Sequence, residues 1–187
     1  MAEPIVISTP LSPEVISRLR AGDRVLIRGT VYTARDAAHR RLTESLRQGE
    51  ELPFDLTGQV IYYTGPAPAP PGTVTGPAGP TTAGRMDPLT APLLRAGLKG
   101  LIGKGERSPE TAEAIRKAKA VYFAATGGAA VLLARAVRKS EIAAYPELGP
   151  EAIRRLEVED FPALVALDIH GGDLYRAGRE KYREQSK

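Results

Sequence analysis

Between residues 79 and 105 the sequence reads GPTTAGRMDPLTAPLLRAGLKGLIGKG, with hydroxyls and cations set on glycine-flanked backbone. Thr81 and Thr82 carry hydroxyls, Arg85 a planar fork of donors, and Lys104 a compact point charge. Glycine allows the main chain to approach a ligand closely or to adopt positive φ. These residue types suit a small polyanion, with arginine gripping a carboxylate through paired hydrogen bonds. Arg35, in the string TARDAAH, stands where a helix is predicted to begin. A cation there is unfavourable unless it points at an anion.

Each of these residues also has a plainer reading. Arg85 could pair with Asp87 or a glutamate at a helix start, and spacing alone leaves the two readings even. Arg35 could reach solvent or pair with Asp36. An isolated Gly-Lys-Gly would read as a turn with an exposed lysine, and the segment is no P-loop, because Gly105 stands where a hydroxyl residue is required. His39 and His170 have no nucleophile or second ligand beside them in sequence and read as structural or exposed. Asp87 reads as a cap or ion-pair partner. Gly127-Gly128 could offer backbone amides to an anion or allow close packing of a helix start.

The elements that must position these groups follow from local signals. Ser12-Pro13 caps a first helix. Arg24–Gly29 is a short strand, Asp36 to about Leu46 a helix, and Gln59–Thr64 a strand. Residues 65–80, GPAPAPPGTVTGPAGP, are too rich in proline and glycine for a helix or a central strand. They read either as a flexible tether or, as favoured here, as a pre-ordered crossover that sets the following TTAGR in place. A helix follows Asp87-Pro88 and runs to about Arg95, with Leu98–Ile102 a strand. Ser108-Pro109 caps another helix, Ala120–Ala124 is a strand, and Gly127-Gly128 opens a helix over residues 129–136. Ile142–Tyr145, Ile153–Val158 and Ala163–Ile169 read as strands. Strands alternating with helices indicate an α/β fold, with residues 1–187 forming one domain that contains the 65–80 segment.

Composition limits the chemistry. The chain of 187 residues is long enough for a real core, and its 42% apolar content is that of a soluble globular protein. It contains no cysteine, so it can neither form a disulfide nor supply thiolates to an iron–sulfur cluster. The net charge of +4 raises nucleic acid as a partner, but acidic and basic residues interleave, as in ERSPETAEAIRKAK and RAGREKYREQSK, in the manner of solvated helix faces. No apolar run reaches membrane-spanning length. MAEPIVISTPLS lacks the features of a signal peptide, so a cytoplasmic location is the expectation.

The strings TARDAAH, GPTTAGRMD, LKGLIGKG and PELGPEAIRRLEVEDFPALVALD together resemble the C-terminal domain, or β subunit, of the class I fumarase and L(+)-tartrate dehydratase family. The resemblance covers about Arg20 to Tyr175. It implies a swivelling β/β/α domain with a mixed sheet and flanking helices. It further implies a hydro-lyase, active only with a separate cysteine-bearing α subunit that holds a 4Fe-4S cluster; the two chains would form a heterotetramer, and the isolated chain would have a homodimer open to it. By the same resemblance Arg35, Arg85 and Lys104 bind the dicarboxylate substrate and Thr81 transfers the proton. Fumarate hydratase is the leading reading and L(+)-tartrate dehydratase the rival within the family. A non-catalytic module for anionic metabolites is the alternative from another class.

Overall fold

The computed structural model describes residues 3–184. Met1, Ala2 and the last three residues of the RAGREKYREQSK run lie outside it. The elements in order are β1 (Ile5–Ser8), α1 (Pro13–Arg18), β2 (Arg24–Thr33), α2 (Asp36–Gln48) and β3 (Val60–Tyr62). A 3-10 turn (Ala83–Met86) then leads into α3 (Asp87–Arg95), β4 (Gly100–Gly103), α4 (Pro109–Lys117) and β5 (Val121–Ala124). The chain finishes with α5 (Ala130–Arg135), β6 (Val137–Ala144), 3-10 turns over Pro146–Glu151, β7 (Ile153–Leu167) and α6 (Leu174–Glu184).

Strands β1 to β5 pair in parallel, while β7 runs antiparallel to both β2 and β5. The sheet therefore passes from β2 through β3, β4 and β5 to β7 and returns to β2, with β1 and β6 as added edges. Strands β3, β4 and β5 are buried on both sides, so alternate residues feed two cores. Val60, Tyr62, Ile102, Val121 and Phe123 meet Leu19, Ile27 and Phe161 in one. Ile61, Tyr63, Leu101 and Tyr122 meet Leu42 of α2, Leu93 of α3 and Ile115 of α4 in the other. Each such side chain removed from water contributes about 1.5–3 kcal/mol. A mixed sheet with flanking helices is thus the observed architecture.

Local chemistry explains the helix starts. Ser12 accepts from Val15 N–H and Ser108 from Thr111 N–H, each with proline at the first helical position, as the sequence predicts. Several boundaries differ from expectation. β1 precedes the first helix and was not anticipated, because Ile5-Val6-Ile7 is too short to stand out before it pairs with Val25–Ile27. β2 continues past Gly29 to Thr33 through a bulge, and β6 starts directly after α5 rather than at Ile142. The two strands expected over 153–158 and 163–169 are one strand, β7, running through Pro162.

The 65–80 segment is fastened to the body of the fold. Ala67 N–H donates to Pro77 O at 3.0 Å, closing the base of the loop, and Ala78 N–H donates to Ala130 O at 3.2 Å. The Tyr62 hydroxyl donates to Ala78 O at 2.5 Å and that of Thr64 to Gly79 O at 2.8 Å. No helix among the described residues is long and apolar enough to cross a membrane.

Candidate functional site

Directly after the proline-rich loop, the chain lays Thr81–Ala83 between two strand ends. Thr81 N–H donates to Tyr63 O at 2.6 Å, Lys104 N–H to Thr81 O at 3.1 Å, and Ala83 N–H to Lys104 O at 2.8 Å. This short ladder, with Thr82 and Lys104 in a parallel bridge, fixes Thr81 beside the end of β4. Lys104 is exposed, and its side chain passes over Gly127, where an added Cβ would stand 3.3 Å from Lys104 Cδ. The Thr81 hydroxyl makes no hydrogen bond among the described residues.

Arg85 lies in the 3-10 turn and is half exposed. Its Nε and Nη2 donate to the two oxygens of Asp36 at 3.0 and 2.7 Å. Asp36 opens α2, where the helix N-terminus favours a negative charge. Burial would raise its pKa, but its own backbone N–H and the charges of Arg85 and Arg35 outweigh this and hold the carboxyl below the usual range.

Arg35 precedes α2. Its Nε lies 3.5 Å from Asp36 Oδ2, within ion-pair range but without hydrogen-bond geometry, so that buried donor has no partner. Its Nη2 lies 3.2 Å from Glu151 Oε1. Glu151 also accepts from Ala37 N–H at 2.7 Å, capping α2 from the 146–151 turns. The guanidinium packs on Gly65, where a Cβ would meet Arg35 Nη1 at 3.2 Å and Pro150 O at 2.9 Å. The anion that makes an arginine tolerable at a helix start is thus a pair of carboxylates, Asp36 and Glu151.

Thr81 and Lys104 are joined by backbone, and Arg35 and Arg85 by Asp36. Thr81 and Arg85 belong to one unbroken segment, Thr81–Arg85, that carries both groups. Behind this rim lies a buried cation that sequence reasoning passed over. The Arg107 side chain is 0% exposed and donates from Nε to Asp87 Oδ1 at 2.6 Å. Its Nη1 reaches the Tyr63 hydroxyl at 3.3 Å and its Nη2 the Thr90 hydroxyl at 2.8 Å. Asp87 further accepts from Ser108 N–H at 2.7 Å, which settles its role as an ion-pair and capping residue. No local motif marks Arg107, because its partners come from β3's end and from α3.

His39 is fully buried one turn into α2, with Nδ1 3.1 Å from Arg35 O and its ring edge-on to Tyr63 at 5.1 Å. Burial, with some help from the charge of Arg107, lowers its pKa to about 4 against the effect of the Arg35 carbonyl. The neutral ring therefore braces the backbone of Arg35. His170 sits at the far turn, near Ser17 O at 3.0 Å and the guanidinium of Arg20. Asp168 organises that turn by accepting from the backbone N–H groups of Ala21, His170 and Gly172, each at 2.8 Å. None of Thr81, Arg35, Arg85 and Lys104 lines the cleft of about 450 Å³ between α4 and α6; Arg85 and Lys104 are exposed, whereas Thr81 and Arg35 are partly buried. Among the described residues no cluster of His, Asp and Glu is arranged to hold a metal ion.

A family model for the fumarase C-terminus matches residues 1–178. Fumarate hydratase 2 of Leishmania major is 40% identical over 162 residues, covering 86% of this chain and 28% of that protein. The aerobic class I fumarate hydratase of Escherichia coli (strain K12) is 41% identical over 163 residues, covering 86% and 30%. A protein of Methanocaldococcus jannaschii named "Putative L(+)-tartrate dehydratase subunit beta" is 36% identical over 181 residues, covering 94% and 93%. The chain spans less than a third of the first two relatives and nearly all of the third.

Proposed function

The chain belongs to the fumarase C-terminal family, and from that premise we propose that it is the β subunit of a two-subunit hydro-lyase interconverting fumarate and L-malate. The observation that carries this reading is the ladder from Tyr63 through Thr81 to Lys104, which ties the backbone of a threonine whose hydroxyl is unbonded among the described residues to that of an exposed lysine. Arg85 follows on the same segment, linked to Arg35 through Asp36. In this reading Arg35, Arg85 and Lys104 take the two carboxylates of the substrate. Removing the C3 proton of malate concentrates negative charge on the adjacent carboxylate, and fixed cations stabilise that charge best in a site closed to water. Thr81 moves the proton, and since its hydroxyl is a weak acid it acts as a relay or after a neighbour has taken its own proton.

The 4Fe-4S cluster implied by the family does not fit this chain. With no cysteine in 187 residues it has no thiolate to offer, and we assign the cluster to a cysteine-bearing partner subunit. The exposure of Lys104 and Arg85 supports a site completed by that partner. The two chains would assemble as a heterotetramer in the cytoplasm.

A second reading has its own support. The relative matched over 93% of its length is named for L(+)-tartrate dehydratase, and tartrate differs from malate by one hydroxyl. The deciding assay follows malate–fumarate interconversion anaerobically, first with this chain alone and then with its cluster-bearing partner. Turnover confined to the mixture supports the proposal. Turnover of tartrate instead of malate selects the second reading. A mixture with an intact cluster that turns over neither substrate overturns both and leaves a binding module.

A further inference from the structure

Asp36 does more at this surface than neutralise charge. An arginine guanidinium has two edges that can hold a carboxylate with two parallel hydrogen bonds, one formed by Nε and Nη2 and the other by the two terminal nitrogens. Asp36 occupies the first edge of Arg85, with both of its oxygens engaged at 3.0 and 2.7 Å. The terminal edge of Arg85 is left for another anion, and the side chain is 51% exposed on that open rim. The same carboxylate oxygen that accepts from Arg85 Nη2 stands 3.5 Å from Arg35 Nε, in ion-pair range but not hydrogen-bonded, so Asp36 directs Arg85 and only offsets the charge of Arg35. Asp36 is itself held firmly: it is the first residue of α2, its side chain is 14% exposed, and the helix beyond it is capped by Glu151.

We propose that Asp36 is the positioning residue of the dicarboxylate site, clamping the side edge of Arg85 so that the arginine meets substrate only through its terminal nitrogens. The inference rests on the reading of Arg85 as a substrate residue. Without the clamp, a long half-exposed side chain would sample many rotamers and present either edge. With it, the approach of the substrate carboxylate is fixed in direction, and misplacement of a positioning group by about 1 Å can cost on the order of 100-fold in rate.

Asp36→Asn is the informative change, because an amide has one uncharged acceptor oxygen and cannot give Arg85 Nε–H and Nη2–H an oxygen each. Asp36→Glu keeps the carboxylate. Both variants, together with Arg85→Lys and the double variant Asp36→Asn/Arg85→Lys, are to be assayed anaerobically in the complete two-subunit enzyme. Thermal unfolding of each purified chain accompanies the assays. The expected result for Asp36→Asn is a KM raised about tenfold or more with a smaller change in kcat, while Asp36→Glu recovers part of the loss. In the Arg85→Lys background, Asp36→Asn adds less than about twofold, since its effect passes through Arg85.

A folded Asp36→Asn enzyme with unchanged KM overturns the proposal, as does an equal loss in both backgrounds. If Arg85→Lys leaves KM unchanged, the assignment of Arg85 to substrate is what fails. The clamp is also read independently of turnover in the isolated chain, by ¹⁵N–¹H NMR of arginine Nε groups. An Arg85 Nε–H protected from exchange in the parent chain and unprotected in Asp36→Asn supports the clamp. No protection in the parent overturns it.

Discussion

At the scale of single residues, the front of the site and the layer behind it make different demands. Thr81 has a free hydroxyl and a fully bonded backbone, so trimming its side chain leaves the ladder intact. Thr81→Ala is therefore expected to fold normally and to lose turnover by about 10²–10⁴-fold in the two-subunit assay, the usual contribution of a positioned proton-transfer group. Arg107 is the opposite case. With a side chain that is 0% exposed, three hydrogen-bonding partners and the rings of Tyr63 and Tyr122 at 5.5 and 5.2 Å, it is a structural cation. Arg107→Met strands Asp87 and is expected to cost about 3–5 kcal/mol of stability, read as a lowered Tm.

His39 makes a prediction with a defined sign. Its pKa in the folded chain is lowered to about 4, whereas in the unfolded chain it titrates near the ordinary value of about 6.5. The unfolded state therefore binds the extra proton first. The contribution of neutral His39 is complete above about pH 6.5 and is lost progressively as the pH falls towards 4, by up to about 3 kcal/mol. Urea unfolding of the parent and of His39→Leu at pH 7 and pH 4.5 isolates this contribution. The parent is expected to lose more stability than the variant across that interval, and equal losses would sink the idea.

At the scale of elements, composition and pairing pull apart. Pro162 within β7 looks like a strand breaker, and the sequence reading divides the strand there. In the fold Val165 N–H donates to Asp23 O on the β2 side, so alternation turns the position of Pro162 away from β2. On that side β6 pairs only as far as Val158 and β5 begins at Leu164, so the missing N–H falls in a gap that asks for no donor. Gly65 makes the converse point. It reads as the first residue of a loop, yet its lack of a Cβ is what lets Arg35 pass between Asp36 and Glu151. Gly65→Ala is expected to displace the Arg35 guanidinium and lower kcat/KM about tenfold while the chain remains folded. Steady-state kinetics beside a thermal melt check this, and an unaltered KM would remove Arg35 from the substrate site.

At the scale of the whole molecule, the sheet closes on itself and both cores are filled by this chain's own residues. The isolated chain is therefore expected to unfold in one cooperative transition by both circular dichroism and fluorescence, yet to show no hydratase activity until its partner is added. Cooperative folding without turnover separates a complete fold from an incomplete site. Non-coincident transitions would show that part of the fold depends on the partner.

The sequence by itself determined the proline-primed helix starts at Ser12 and Ser108 and the alternation of strands and helices, which are written in residues close together along the chain, where capping, turn chemistry and periodicity act. The four candidate groups were marked by strings that resemble a family, since spacing alone left plainer readings open. The absence of cysteine likewise fixed, before any coordinates, that these 187 residues have no thiolate to offer an iron–sulfur cluster. Only the tertiary structure decided that Asp36 pairs with Arg85, 49 residues away, and that Arg107 pairs with Asp87, 20 residues away. It alone decided that Glu151, 114 residues on, caps α2 and faces Arg35. It also joined β7 across a proline and added β1 to an edge that no local pattern announced. The physical reason is common to all of them: ion pairs, buried donors and strand edges are satisfied by whichever partner the closed sheet brings near, and sequence distance carries no record of that choice.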